Sequence, residues 1–141
     1  MIVLDTTVLV YAVGIEHPFR EPCRQLISAA EDRNVELRTT VEVVQEFVHV
    51  RARRRDREDA VARGRSYLTL LSPLLPTDEA HLREALAIFR DSSGVGMFDA
   101  VLASVAMRAG ASLVSANFGF GVIGGLRHVV PTTVGVTQLL A

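Results

Sequence analysis

Short apolar runs, separated by one or two helical stretches, constrain the fold of this chain more than any other feature of its sequence. The candidate strands are residues 2–4, 35–38, 111–116 and 128–130. Strands that follow one another through helices need crossover connections, which are right-handed and place the strands parallel. The sequence therefore predicts an α/β fold, with a central parallel sheet of four to five short strands flanked by helices on both faces.

Helices are predicted between these strands, because apolar residues recur there at helical spacing. Thr39 and Glu42 stand three residues apart, as in a capping box, and predict a helix start. Gly110 lies where the left-handed residue that follows a helix is expected, and glycines between 119 and 125 predict a mobile loop. The helices are predicted over about residues 6–13, 18–31, 40–53, a stretch ending near Leu71, a stretch capped by Thr77 or Asp78, 97–109 and 136–141.

One of these helices carries an amphipathic stripe. Its apolar residues recur at i, i+3, i+4 and i+7, which places them on one face. We interpret this face as part of the core, and a dimer interface is the alternative that the pattern leaves open. The stripe consists of Leu82, Ala85, Leu86 and Phe89.

The composition is that of an ordinary folded domain. The chain has 141 residues, 49% of them hydrophobic, and a net charge of -1. A chain of this length buries enough surface to fold without metal or disulfide staples, so we expect one domain over residues 1–141. A near-neutral charge argues against binding nucleic acid through an overall basic excess, which leaves only a local basic patch for that role.

Cysteine content and hydropathy bear on the cellular compartment. Cys23 is the only cysteine, so no internal disulfide can form, which is typical of a reducing compartment. No apolar run reaches the roughly 18 residues of a membrane span. The opening apolar run has no basic flank and meets Asp5 at once, unlike a signal peptide. We expect a cytoplasmic protein without a membrane segment.

Three carboxylates occupy positions that favour a cleft. Ligands of open parallel sheets bind beyond the carboxyl ends of the strands, and Asp5 directly follows the first strand, where it is either a helix cap or a ligand. Glu46 lies beside the apolar face of its helix, so it either points into a cleft or pairs in solvent with an arginine. Asp99 lies in the first turn of a helix, where it also complements the helix dipole. Asn117 is a further polar residue that directly follows a predicted strand.

If these carboxylates converge, their charges repel one another unless a divalent cation lies among them. Hard oxygen ligands suit Mg²⁺ or Mn²⁺, which keep bound waters and accept phosphate oxygens. The chemistry that such a site favours is hydrolysis of a phosphodiester bond.

Four sequence blocks resemble, in order and spacing, the signatures of PIN-domain ribonucleases. The single-domain length and the last three blocks look most like the VapC toxins of bacterial toxin–antitoxin pairs. The resemblance covers nearly the whole chain and implies a PIN-like fold. The blocks are Ile-Val-Leu-Asp5-Thr6-Thr7, Val-Val-Gln-Glu46-Phe, Met-Phe-Asp99-Ala and Leu-Val-Ser115-Ala116-Asn117.

The resemblance implies roles for single residues. Asp5 and Asp99 match the aspartates that bind Mg²⁺ or Mn²⁺. Glu46 matches the glutamate of a helix, and Thr6 or Thr7 matches a hydroxyl that hydrogen-bonds within the acidic site. The catalytic set that follows is Asp5, Thr6, Glu46, Asp99 and Asn117.

Asn117 departs from the family pattern. It occupies the fourth acidic position, where many relatives have aspartate, so the site has one negative charge fewer. An amide can still offer a neutral oxygen to a metal or a water, but we expect weaker metal binding. Activity then depends on the site built from Asp5 and Asp99.

The activity that the resemblance implies is Mg²⁺- or Mn²⁺-dependent endonucleolytic cleavage of RNA. It also implies a homodimer and a cognate VapB-like antitoxin that inhibits the toxin. One alternative is a catalytically weakened PIN-like domain that binds RNA or a protein. A receiver or phosphatase that uses Asp5 as a phosphorylated nucleophile would need an acidic residue where this chain has Thr7, and a late lysine, although the chain has no lysine.

A basic segment fits an RNA-cleaving activity. Seven arginines lie between residues 51 and 65 together with three acidic residues, a local excess of four positive charges. Arginines bind phosphates largely without regard to sequence, and a solvated helix with local ion pairs is the alternative. The candidate RNA-binding residues are Arg51, Arg53, Arg54 and Arg55.

Overall fold

Four parallel strands form the central sheet, in the order β2-β1-β3-β4. Both central strands are short and apolar, and all three residues of β1 are buried. The computed structural model describes all of residues 1–141 and confirms the α/β fold with a parallel sheet of four strands. The strands are β1 (Ile2–Leu4), β2 (Leu37–Arg38), β3 (Ser112–Val114) and β4 (Arg127–Val129).

Seven α-helices surround this sheet, and a 3-10 helix covers Phe118–Val122, where the glycines predict a mobile loop. None of the helices combines the length and the apolar character that crossing a bilayer requires. The helices are α1 (Thr6–Val13), α2 (Arg20–Glu31), α3 (Val41–Arg54), α4 (Arg57–Leu71), α5 (Glu79–Asp91), α6 (Met97–Arg108) and α7 (Thr133–Leu140).

The order in which strands are added to the sheet reverses at β1. The chain passes from β1 to β2 on one side and later returns to β3 on the other side of β1. Leu4 is paired in register with Val114, so β1 and β3 end at the same level of the sheet. A crevice outside two such strand ends is where open α/β sheets bind their ligands.

One helix start differs from the sequence prediction in the residue that caps it, and another matches one of the two predicted caps. Thr40, not Thr39, caps α3, because the Thr40 hydroxyl accepts the backbone N–H of Val43 at 3.2 Å. The buried Thr39 hydroxyl instead donates to the carbonyl of Leu4 at 2.7 Å and ties α3 to the end of β1. Asp78 caps α5 by accepting two backbone N–H groups.

Helices α3 and α4 approach each other closely where Gly64 faces Val48. A Cβ atom on Gly64 would lie 2.5 Å from Val48 Cγ2, so only glycine fits there without movement. Beside this contact, the rings of Phe47 and Tyr67 pack edge to face with centroids 5.0 Å apart. The Tyr67 hydroxyl donates to the carbonyl of Leu9 at 3.0 Å, which joins the helix pair to α1.

The amphipathic stripe of α5 is mostly solvent-exposed, so its interpretation as core is wrong. Ala85 is fully buried, but Leu82, Leu86 and Phe89 are 46%, 54% and 47% exposed. The physical reason is that α5 packs mainly on α6, and no further helix covers its outer face.

Arg51 lies inside the protein and not on the basic surface that the sequence suggests. Its side chain is 9% exposed, pairs with Asp59 and also donates to the carbonyl of Val13 at 3.4 Å. The hydrogen bond from Arg51, followed by its charge and by Arg63, lowers the pKa of Asp59 against the effect of burial. Arg51 therefore connects α3, α4 and the end of α1, and its guanidinium is engaged within the fold.

Candidate active site

A cleft of about 730 Å³ lies at the carboxyl end of β1, between α3 and the start of α6. Its lining includes four carboxylates and no arginine. A cleft with one sign of charge concentrates ions of the opposite sign. The four acidic residues are Asp5, Glu42, Glu46 and Asp99.

Asp5 is a buried carboxylate that two hydroxyl groups hold in place. It is 6% exposed, and although it stands at the N-terminus of α1, its side chain accepts no capping hydrogen bond from that helix. The hydroxyls of Ser115 and Thr7 donate to Asp5 Oδ2 at 2.6 and 2.9 Å. Asp5 Oδ1 is left without a protein donor, so the structure favours a ligand over a cap.

The same two hydroxyls join the ends of the central strands. Thr7 Oγ1 accepts the backbone N–H of Ala116 at 2.9 Å, and Ser115 Oγ accepts that of Asn117 at 3.0 Å. Sequence reasoning did not identify Ser115 as a site residue. The available signal was its position, because Ser115 is the first residue after β3, as Asp5 is the first after β1.

Glu46 reaches the cleft from the second turn of α3. The Thr6 hydroxyl donates to Glu46 Oε2 at 3.1 Å, and Glu46 takes part in no ion pair with any arginine. The alternative in which Glu46 pairs with an arginine in solvent is therefore wrong. Thr6 and Thr7 thus support two different carboxylates from adjacent positions of α1.

Asp99 lies in the first turn of α6, half-buried and close to the other acidic residues. Burial, and then the charges of Asp5 and Glu46, raise the pKa of Asp99 to about 6, against a hydrogen bond from Asn117 that lowers it. The repulsion shows that the three carboxylates interact electrostatically across one site.

Asn117 donates to this site and does not present its oxygen to it. Its Nδ2 donates to Asp99 Oδ2 at 2.9 Å, and its Oδ1 accepts the backbone N–H of Gly119 at 3.0 Å. The second bond caps the 3-10 helix. The expectation that the amide offers its oxygen to a metal or a water therefore does not match this orientation.

The carboxylate oxygens of this site suit a divalent cation that keeps several bound waters better than a cation coordinated only by protein ligands. No three acidic, histidine or cysteine side chains stand close enough together to hold an ion by themselves. Mg²⁺ usually keeps several waters and takes one or two carboxylates together with substrate phosphates. Asp5 and Asp99 each keep one oxygen without a protein donor, and a cation would relieve the repulsion between them.

Comparisons with known proteins identify the family of this chain. A family model described as "PIN domain" matches residues 2–126. Ribonuclease VapC7 of Mycobacterium tuberculosis is 51% identical over 99% of this chain and 98% of the relative.

Two solved structures share the fold. One is VapBC2 from Rickettsia felis bound to a DNA fragment from its promoter, with a TM-score of 0.73 and 20% identity over 92% of this chain and 98% of that one. The other is a toxin–antitoxin complex from Klebsiella pneumoniae, with a TM-score of 0.71 and 16% identity over 93% and 98%. The fold, the acidic cleft and the relatives together show that this chain belongs to the PIN-domain family and, within it, to the VapC ribonucleases.

Proposed function

We propose that this protein is a divalent-cation-dependent endoribonuclease and the toxin of a type II toxin–antitoxin pair. The observation that carries the proposal is the placement of Asp5, Glu46 and Asp99 in one cleft at the ends of the central strands. The near full-length identity to a ribonuclease supports the same activity. We also propose that residues 1–141 act as one domain in the cytoplasm.

Asp5 and Asp99 would hold the cation, which we propose is Mg²⁺ or Mn²⁺. When bound, such a cation lowers the pKa of a water and neutralises charge on the phosphate and on the leaving 3′ oxygen. Thr7 and Ser115 fix the orientation of the Asp5 carboxylate, and Asn117 fixes that of Asp99.

Two carboxylates of the cleft remain: Glu42 accepts a hydrogen bond from Thr77, and Glu46, which the charge of Asp99 faces, serves as the proton acceptor for the attacking water. Thr6 holds its Oε2, which leaves Oε1 without a protein donor and free to accept a proton. A base must reach its proton directly or through one water, and the shared cleft meets this requirement.

The RNA backbone binds the exposed arginines at the end of α3. Arg53, Arg54 and Arg55 are exposed and form no ion pair, so their guanidinium groups are available to phosphates. Arg51 is excluded because it is buried against Asp59.

Two protein partners complete the proposal. The outer face of α5, with Leu82, Leu86 and Phe89 about half exposed, serves as the homodimer interface. One solved structure with this fold is described as a toxin–antitoxin complex and another as VapBC2, and we propose that a VapB-like antitoxin inhibits this protein.

A second candidate function is a domain that binds RNA or a protein without cleaving it. One observation favours it, because the Asn117 side-chain oxygen is engaged by the backbone N–H of Gly119 and adds no charge to the site. The two functions differ in whether a cation activates cleavage.

The deciding experiment incubates antitoxin-free protein with total cellular RNA in EDTA, in Mg²⁺ and in Mn²⁺. Asp5→Asn and Asp99→Asn test the site, and Asp91→Asn is a matched control because that carboxylate is 63% exposed and pairs with Arg90. We expect discrete products with a cation, lost in both site variants and retained in the control. A folded wild type that binds RNA but cuts nothing with either cation would replace the nuclease with the binding domain.

A further inference from the structure

Two phenylalanine side chains are exposed beside the acidic cleft. Phe98 is 87% exposed and Phe118 is 70% exposed, whereas Phe47 and Phe120 lie fully in the core. A large aromatic group gains about 1.5–3 kcal/mol when it is buried, so exposed rings at a cleft indicate a binding surface. Neither ring supports the fold through packing.

One of the two phenylalanines lines the cleft, and the other is the chain neighbour of a residue that hydrogen-bonds to an aspartate of the cleft. Phe98 lines the cleft and directly precedes Asp99. Phe118 directly follows Asn117, whose side chain donates to Asp99 at 2.9 Å. Neighbouring Cα atoms are about 3.8 Å apart, so the Cα atom of each phenylalanine lies at that distance from the Cα atom of a partner in this hydrogen bond.

The charge of the cleft determines which part of an RNA can bind there. Four carboxylates and no arginine line it, so the phosphates of a substrate receive no cationic contact from the protein at this point. Nucleic-acid-binding proteins supply uncharged affinity by stacking unpaired bases on aromatic rings.

We propose that Phe98 and Phe118 form a stacking site for the unpaired bases that flank the scissile phosphate. The proposal rests on the ribonuclease function and adds to it a binding role for these two side chains. The rings hold the bases while Asp5 and Asp99 face the phosphate between them. Paired bases cannot reach the rings, because they remain stacked within their own helix.

The test uses short single-stranded RNAs with a 2-aminopurine base, whose fluorescence falls when it stacks. Binding is measured in EDTA for the wild type and for Phe98→Ala, Phe118→Ala and the double variant. Each alanine should weaken binding and reduce the quenching, by about 5- to 100-fold in affinity per lost stack. Phe98→Trp should restore binding and Phe98→Leu should not, because leucine keeps apolar area without a ring face.

Ile15→Ala is the matched control. Ile15 is 86% exposed, like Phe98, but follows the end of α1 opposite to Asp5. In the cleavage assay with Mn²⁺, the alanine variants should raise KM for single-stranded RNA and change kcat less, because stacking binds substrate and transition state alike.

The outcomes separate this proposal from the ribonuclease function. Alanine variants that bind and quench like the wild type would overturn the stacking site, even if Asp5→Asn abolishes cleavage. Leucine variants that match phenylalanine would also overturn it and would indicate an apolar contact for a protein partner. A wild type that quenches 2-aminopurine through both rings but never cuts RNA would support the stacking site and overturn the nuclease.

Discussion

Asp99→Asn should stabilise the cation-free protein while it abolishes cleavage. Ionised Asp99 is repelled by Asp5 and Glu46, and a neutral amide of the same shape removes this repulsion. The amide oxygen can still accept the hydrogen bond that Asn117 now donates to the carboxylate. Function and stability therefore oppose each other at this residue.

The magnitude follows from the pKa. Burial and the two neighbouring charges raise the pKa of Asp99 from its ordinary 3.8 to about 6. Each pH unit in a pKa corresponds to about 1.4 kcal/mol, so full ionisation destabilises the fold by at most roughly 3 kcal/mol. Because the side chain is partly exposed and solvent screens the repulsion, we expect about 1 kcal/mol. In a chain of this length, that is roughly 3 °C in Tm.

The sign of the pH dependence is fixed by the direction of the pKa change. Asp99 binds its proton more tightly in the folded chain than in the unfolded one, so its contribution to stability is fully present below about pH 4. That contribution is lost as the pH rises through about 6. The advantage of Asp99→Asn should therefore be absent in acid, grow across this window and be constant above it.

The assay is thermal unfolding by circular dichroism in EDTA, at about pH 4 and about pH 8. Asp91→Asn is the control, because Arg90 lowers the pKa of Asp91 and its replacement should give no gain. Mn²⁺ should raise the Tm of the wild type but not that of Asp99→Asn. A gain that is the same at both pH values, or a Tm below the wild type at the higher pH, would refute the reasoning.

Three further predictions concern packing, support of the site and thiol chemistry. Gly64→Ala places a Cβ 2.5 Å from Val48 Cγ2 and should lower the free energy of unfolding in urea by about 1–3 kcal/mol, with Val48→Ala restoring most of it. Ser115→Ala removes a donor to Asp5 and should weaken Mn²⁺ binding about tenfold or more in calorimetric titration. Burial raises the pKa of Cys23 to about 12, so a thiol reagent should label it in urea but not in the native protein.

Each of these predictions has an opposing result. A Gly64→Ala variant at least as stable as the wild type would mean that α3 and α4 separate without a loss of stability. Ser115→Ala with unchanged Mn²⁺ affinity would mean that Thr7 alone holds Asp5. Rapid labelling of native Cys23 would mean that the core around it opens often.

The sheet and most helices could be predicted because their apolar residues repeat at the period of the element. Asp5 could be placed at a strand end because a carboxylate interrupts an apolar run. The spacing of apolar residues shows which face of a helix is apolar, but it does not show whether another element packs against that face. For that reason Leu82, Leu86 and Phe89 appeared to be core residues, although α5 has a neighbour on one side only.

The supporting contacts of the site could not be predicted, because they join residues far apart in the chain. Ser115 and Asp5 meet only because β1 and β3 are neighbours, and no local pattern specifies that strand order. Arg51 is similar, since its burial depends on how α4 brings Asp59 beside α3. The cap of α3 was assigned to Thr39 instead of Thr40, because either hydroxyl can accept a backbone N–H group. Only the structure shows that the Thr39 hydroxyl is bound to the carbonyl of Leu4 at the end of β1.

The bond between Ser115 and Asp5 joins residues 110 positions apart, so Asp5 acquires this donor late in the synthesis of the chain. The ribosome releases β1 first, and β2 can pair with one of its edges early, but the other edge stays open until residues 112–114 have emerged. Such long-range parallel pairing forms late in folding. A chain that ends before residue 115 therefore carries Asp5 without Ser115 or Asn117. The hydrogen bonds that orient the Asp5 carboxylate are complete only after about four-fifths of the chain has been synthesised.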